Sequence, residues 1–190
     1  MATYDSGLVY CTGYAHSGSG SDFTNPDRIT ANDNSYATRV IGFISDGLIF
    51  ATFSSLALAS LPDLATVTGV EVYVGRKASS EYTMATGSLD GATYYYYPGV
   101  YLYNGPAYGS GRPITFPAYW TTSEAQEIHG GVSDLWGMTI TPSILKSGNF
   151  KVRFACTSFW GATTTASIDY IAVRIYATYS DDFVPTAAWF

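Results

Sequence analysis

The residues able to carry acid–base, nucleophilic or metal chemistry are few and scattered along the 190 positions of this chain. Its two histidines are His16, in a Gly/Ser-rich stretch, and His129, just before Gly130-Gly131. Neither has a second His or a Cys at ligand spacing, so both read as loop or surface histidines. No G-x-S-x-G elbow, H-E-x-x-H, Walker A or strand-borne G-x-G-x-x-G occurs. A glycosidase needs two carboxyl groups flanking the scissile bond. Glu124 and Glu127 stand close in sequence, but spacing fixes no separation and solvated loop charges are expected. Asn32-Asp33-Asn34 offers oxygens that Ca²⁺ could take, without the spacing of an EF-hand loop. Its expected role is a turn whose Asx side chains bond the local backbone. Cys11 and Cys156 form no CxxC pair and read as two buried thiols. No catalytic residue, metal ligand or cofactor is assigned, and the chain is expected not to be an enzyme.

Recognition chemistry is better supplied. Aromatic residues make up 16% of the chain, with 17 Tyr, 10 Phe and 4 Trp. A Tyr or Trp face can stack on a sugar ring, which would make a carbohydrate-binding module, with Trp120, Trp160 and the tyrosines at 94–97 as candidates. The same rings bury much area at protein interfaces for little entropy, and Lys, depleted from interfaces, is scarce here. Tyr94, Tyr95, Tyr96 and Tyr97 in a strand put two rings on each face, so two must be exposed or covered by something else. The stretch Asp181–Phe190 carries Phe183, Trp189 and Phe190, which calls for a surface to cover them. It either folds back on its own domain or docks as an arm on a neighbour. These seven aromatics are the candidate interface residues.

The elements that must position such residues are strands. Charged residues are 13% of the chain, about half the ordinary share, which excludes a disordered chain or a helical bundle. Period-two alternation recurs from end to end. Phe150, Val152, Phe154 and Cys156 share one side of a strand, with Lys151 and Arg153 on the other. Val70, Val72 and Val74 alternate with Glu71 and Tyr73, and Val100 and Leu102 with Tyr101 and Tyr103. Ile171, Val173 and Ile175 point inward, with Tyr170, Arg174 and Tyr176 outward. Asp46-Gly47, Asp90-Gly91 and Asn104-Gly105 are hairpin-turn dipeptides. Pro142–Lys146 reads as one helical turn, and Leu56–Leu64 as a short helix or irregular crossover. Eight to ten strands without a long helix predict an all-β protein, an antiparallel β-sandwich of jelly-roll type. Residues 1–22 read as an N-terminal strand and flexible loop, 23–178 as the sandwich and 179–190 as a C-terminal arm.

The net charge of −6 disfavours nucleic acid and anionic membranes as partners. No apolar stretch approaches a membrane span, and the N-terminus reads as lacking a signal peptide.

Five short patterns in order carry a resemblance. They are Phe23-Thr24-Asn25-Pro26; Asp33-Asn34-Ser35-Tyr36-Ala37; Val67–Val72 with Arg76-Lys77-Ala78; Gly131-Val132-Ser133-Asp134-Leu135-Trp136-Gly137; and Ala166–Ile171. Over roughly residues 23–178 the chain resembles a family of tailed-phage virion proteins with β-sandwich folds. The motifs read as fold determinants. Asn25, Pro26 and Asp33 fit turns, and Leu135 or Trp136 would be buried between sheets before Gly137. Asp134, and Asp169 at the start of the closing strand, would bond nearby backbone. The resemblance implies a non-enzymatic virion component assembled in a host cytoplasm, foremost a capsid decoration or cement protein. Its partners would be its own copies, with a trimer among the options, and the major capsid protein. A tail, baseplate or fibre component and a carbohydrate-binding module are the alternatives.

Overall fold

The computed structural model describes residues 1–16, 22–42, 45–54, 58–89, 96–104, 107–111, 119–158 and 163–180. Fourteen strands are found among them. They are β1 (Ala2–Asp5), β2 (Val9–Tyr10), β3 (Gly13–Ala15), β4 (Ala37–Ile41), β5 (Asp46–Thr52), β6 (Thr66–Ala78) and β7 (Met84–Thr86). The rest are β8 (Ser88–Leu89), β9 (Tyr96–Tyr97), β10 (Val100–Asn104), β11 (Ala107–Tyr108), β12 (Ala125–Gly131), β13 (Phe150–Ser158) and β14 (Thr164–Tyr179). The one α-helix among the described residues, α1 (Pro142–Lys146), is the expected helical turn, with Thr141 Oγ1 accepting from the Ile144 amide at its N-cap.

Two six-stranded antiparallel sheets form the sandwich. The first is ordered β1-β14-β6-β12, with β2 and β4 also paired to β14; the second is ordered β11-β10-β13-β5-β3, with β7 on β13. The long β14 is the rod of the first sheet: β6 lies along one flank, while β4, β2 and β1 follow one another along the other. From β3 to β6 each strand lies in the opposite sheet to the one before, and β12, β13 and β14 repeat that crossing. This is the expected jelly-roll-like β-sandwich.

Alternation decides which side chains enter the core. Val70, Val72, Val74, Ile171, Val173 and Ile175 from the first sheet meet Val100, Leu102, Val152 and Phe154 from the second, all at 0% exposure. Cys11 and Cys156 are buried free thiols, as expected, and Cys11 donates to the Ile29 carbonyl. Burial raises both thiols, Cys11 to about 12.

Two turn expectations fare differently. Asn104 pairs with Ala107 across β10 and β11, and Gly105, the second residue of that dipeptide, lies outside the described residues. Asp46-Gly47 is no turn: both residues open β5. A Cβ on Gly47 would come within 3.0 Å of Ile41 and Phe23 and 3.1 Å of Cys156. Packing, rather than turn conformation, requires that glycine. The N-terminal strands are woven into both sheets, β1 and β2 on β14 and β3 on β5. The loop Ser17–Ser21, Asp90-Gly91 and the arm from Asp181 lie outside the described residues.

Candidate ligand-binding face

The motif residues of the sequence are architectural. Asn25 sits at φ 52° and caps a 3₁₀ turn, Pro26–Ile29. Asp134 Oδ1 accepts the Trp136 amide at 2.8 Å. Trp136 is fully buried at φ 57° and donates its indole N–H to the Val70 carbonyl at 2.9 Å, while Leu135 packs against the core from its edge. Gly137 follows at φ 67°, where glycine is favoured. Asp169 does not open the closing strand. It lies five residues inside β14, at a register shift between Ile168 and Tyr170.

The aromatic candidates are redistributed. Trp120 is 1% exposed, stacked on Phe154 with its N–H donated to Thr86 Oγ1, so it offers no face to a sugar. Trp160, Tyr94, Tyr95, Phe183, Trp189 and Phe190 lie outside the described residues. Tyr96 and Tyr97 form β9 against Ser88 and Leu89.

The histidines also differ. His16 is an exposed loop histidine 3.3 Å from Asp22. His129 is neither loop nor surface: it points inward from β12, its side chain 12% exposed, with Nε2 2.9 Å from Glu127 Oε1 though not aligned for a hydrogen bond. Around Glu127 converge Arg76 Nε at 3.0 Å and Thr86 Oγ1 at 2.6 Å. Burial would raise the Glu127 carboxyl, but His129, Thr86 and the Arg76 charge together hold it down at about 2. A carboxylate so firmly ionised is a poor general acid. Glu124 faces other partners, accepting the Tyr36 hydroxyl at 2.7 Å.

The feature that sequence alone did not single out is the outer face of the first sheet. Outward residues of β2, β14, β6 and β12 fall into register across it. Tyr10 stands opposite Ala172, Ala172 opposite Tyr73, and Tyr73 opposite Ile128. In the next row Tyr170 is opposite Gly75 and Gly75 opposite Gln126. On the other side Arg174 pairs with Glu71, and Asp5 with Tyr176, which is opposite Gly69. Rings thus stand beside Gly or Ala, and Gly75 leaves room for the ring opposite it to lie down. Tyr170 covers Gly75 and reaches Gln126, donating to Oε1 at 2.8 Å. Tyr10 meets Tyr170 edge-on at 5.7 Å. Tyr73 and Tyr170, 8% and 3% exposed, form with Ala172 and Tyr10 a small apolar layer outside the main core.

Polar groups complete the face. Glu71 Oε2 accepts both Tyr73 (2.7 Å) and Tyr176 (2.8 Å) hydroxyls. Arg174 forks onto the Asp5 carboxylate, with Nε to Oδ1 at 2.8 Å, and lies 5.3 Å over the Tyr176 ring. The Arg174 hydrogen bond and the Gly7 amide hold Asp5 at about 2. Burial, then the hydrogen bond to Glu71, raises Tyr176 to about 12. In these contacts the tyrosine hydroxyls and Arg174 donate and the Glu71 and Asp5 carboxylates accept. The outward tyrosines and the two glycines of β6 were visible in the sequence; that Tyr10 and Gln126 share their face depends on strand pairing.

No family model and no curated protein matches this chain. Among solved structures it is similar to the N-terminal cellulose-binding domain of Cellulomonas fimi β-1,4-glucanase C, at 12% identity and TM-score 0.42 over 80% of each chain. It is also similar to a Bacteroides vulgatus protein provisionally assigned to the glycoside hydrolases, at 15% identity and TM-score 0.35 over 72% of this chain and 71% of that one. Likeness at this level speaks to neither ligand nor reaction.

Proposed function

We propose that this protein is a non-enzymatic carbohydrate-binding β-sandwich whose glycan lies across the outer face of the β14-centred sheet. One observation carries the reading: tyrosine rings stand beside small residues across four strands, and fixed planar polar groups stand between them. A pyranose presents an apolar C–H face and a rim of hydroxyls. Half-buried Tyr10 and Tyr176 provide ring surface, while Glu71, Gln126 and the Asp5–Arg174 pair provide acceptors and donors at the rim. Opposed charges on this face favour a neutral glycan over a polyanion.

Calorimetric titration with soluble neutral α- and β-linked polysaccharides tests this. Tyr10→Ala and Tyr176→Ala are each expected to weaken binding about tenfold, the order of one lost ring contact, with both variants still folded by far-UV circular dichroism. A folded wild type that binds none of the panel overturns the reading.

The order of sequence motifs supports a second reading, a virion component such as a capsid decoration protein, with other copies and the capsid protein as partners. It would draw on other residues: Ile128 and Val132, 51% and 58% exposed, stand at the β12 edge of the first sheet, which no other described strand covers. Immunogold labelling of purified particles decides between head, tail and no attachment.

A further inference from the structure

Asp169 occupies an unusual position for a carboxylate. Ile168 pairs with Arg76 and Tyr170 with Gly75, leaving Asp169 as the extra residue of a bulge in β14. On the opposite flank Ile168 pairs with Ala37 and Tyr170 bridges Thr30, so the segment between Thr30 and Ala37 closes over the bulge. Asp169 is 0% exposed. Its Oδ1 accepts the Asp33 amide at a long 3.4 Å, and its Oδ2 is buried with no hydrogen-bond partner. A carboxylate oxygen so placed is unfavourable unless something compensates it.

The nearby charges deepen the deficit. The Glu124 and Asp33 carboxylates both act on Asp169 electrostatically, adding like charge around it. Lys77 sets its ammonium over the Tyr36 ring at 3.7 Å, and Tyr36 donates to Glu124. Asp33 Oδ1 takes the Ser35 amide at 2.9 Å, the expected Asx turn, which holds this second carboxylate on the loop that covers the bulge.

We infer that the Asp169 bulge and the Asn32–Asn34 loop form a Ca²⁺ site, with Asp169 Oδ2 as its buried anchor. Asp33 supplies the second carboxylate, and loop oxygens and water fill the remaining positions. Ca²⁺ accepts such a mixed, flexible oxygen shell, whereas Mg²⁺ demands a tighter octahedron. Among the described residues no three His, Cys, Asp or Glu side chains gather as a metal cluster. With few charged ligands the affinity belongs in the weak range of about 10⁻⁴–10⁻³ M. This inference stands independently of the glycan reading.

The test is thermal unfolding of the EDTA-treated full chain with CaCl₂ or MgCl₂ at constant ionic strength. At a Ca²⁺ concentration about ten times Kd the folding constant rises about elevenfold, which for a chain of this size raises Tm by about 3–6 °C. Asp169→Asn is expected to abolish the rise and Asp33→Asn to reduce it. Should either variant fail to fold, tyrosine-sensitised Tb³⁺ luminescence of the wild type, displaced by Ca²⁺, carries the test. A wild-type Tm indifferent to Ca²⁺ without displaceable Tb³⁺ overturns the site. So do equal shifts with Mg²⁺, or an undiminished response in Asp169→Asn.

Discussion

Two buried carboxylates in this molecule have opposite environments, and each follows from its neighbours. Glu127 faces Arg76, Thr86 and His129 and is held at about 2, below its ordinary 4.5. Asp169 is pushed upward, first by burial and then by the nearby Glu124 and Asp33 carboxylates. A carboxyl depressed in the fold stabilises it above the unfolded pKa, and that contribution is lost as pH falls through the folded value. Glu127 should therefore contribute about 3 kcal/mol at pH 7, the linkage value of its shift. Glu127→Gln is expected to lose most of it at pH 7, with the gap from wild type closing between about pH 4.5 and pH 2. Urea unfolding of both proteins across that range checks the sign; a gap that does not close would assign the loss to packing instead. The sequence could not supply this contrast. Glu127 and His129 both follow the alternation of a strand, but whether that side meets core or water depended on the partner of β12.

At the level of elements, glycines decide where rings can lie. A Cβ on Gly75 would overlap the Tyr170 ring, whereas one on Gly131 would meet nothing within 4 Å. Gly75→Ala is expected to destabilise by about 1–3 kcal/mol, the usual cost of overpacking, and to break the Tyr170–Gln126 bond. Gly131→Ala should stay within about 0.5 kcal/mol, as surface substitutions do. Chemical denaturation gives both values, and near-UV circular dichroism reports whether the tyrosine layer shifts. Equal effects of the two substitutions would refute the packing argument. Most strands were legible because a half-buried strand writes its face into every second residue. The very short strands β2, β3, β7, β8 and β11 carry too few residues to show a period. Gly47 was misread for a related reason: Asp-Gly marks a turn only when no neighbouring strand needs the space.

For the whole molecule, the closing strand determines which parts are indispensable. Residues of β14 up to Tyr179 pair with β1, and every described strand of both sheets ends before Asp181. Removal of residues 181–190 is expected to leave the far-UV spectrum unchanged and the melting temperature within about 1 °C, well below the shift from losing 1 kcal/mol. Self-association or docking, measured by sedimentation velocity, should weaken. An unfolded truncation would show that the C-terminal aromatics belong to the core.

The sequence by itself determined the fold class, the inward sets of β6, β10, β13 and β14, and the architectural role of Asp134. These are local matters: side-chain alternation, hydrophobic burial and bonds to nearby backbone act within a few residues. The tertiary structure decided which outward residues share a surface, because register across β2, β14, β6 and β12 joins positions far apart in the chain. It also decided that Trp120 is core, and that the Asn32–Asn34 loop closes over the bulge at Asp169. A strand's alternation records that a face exists; only pairing between distant strands records what stands beside it.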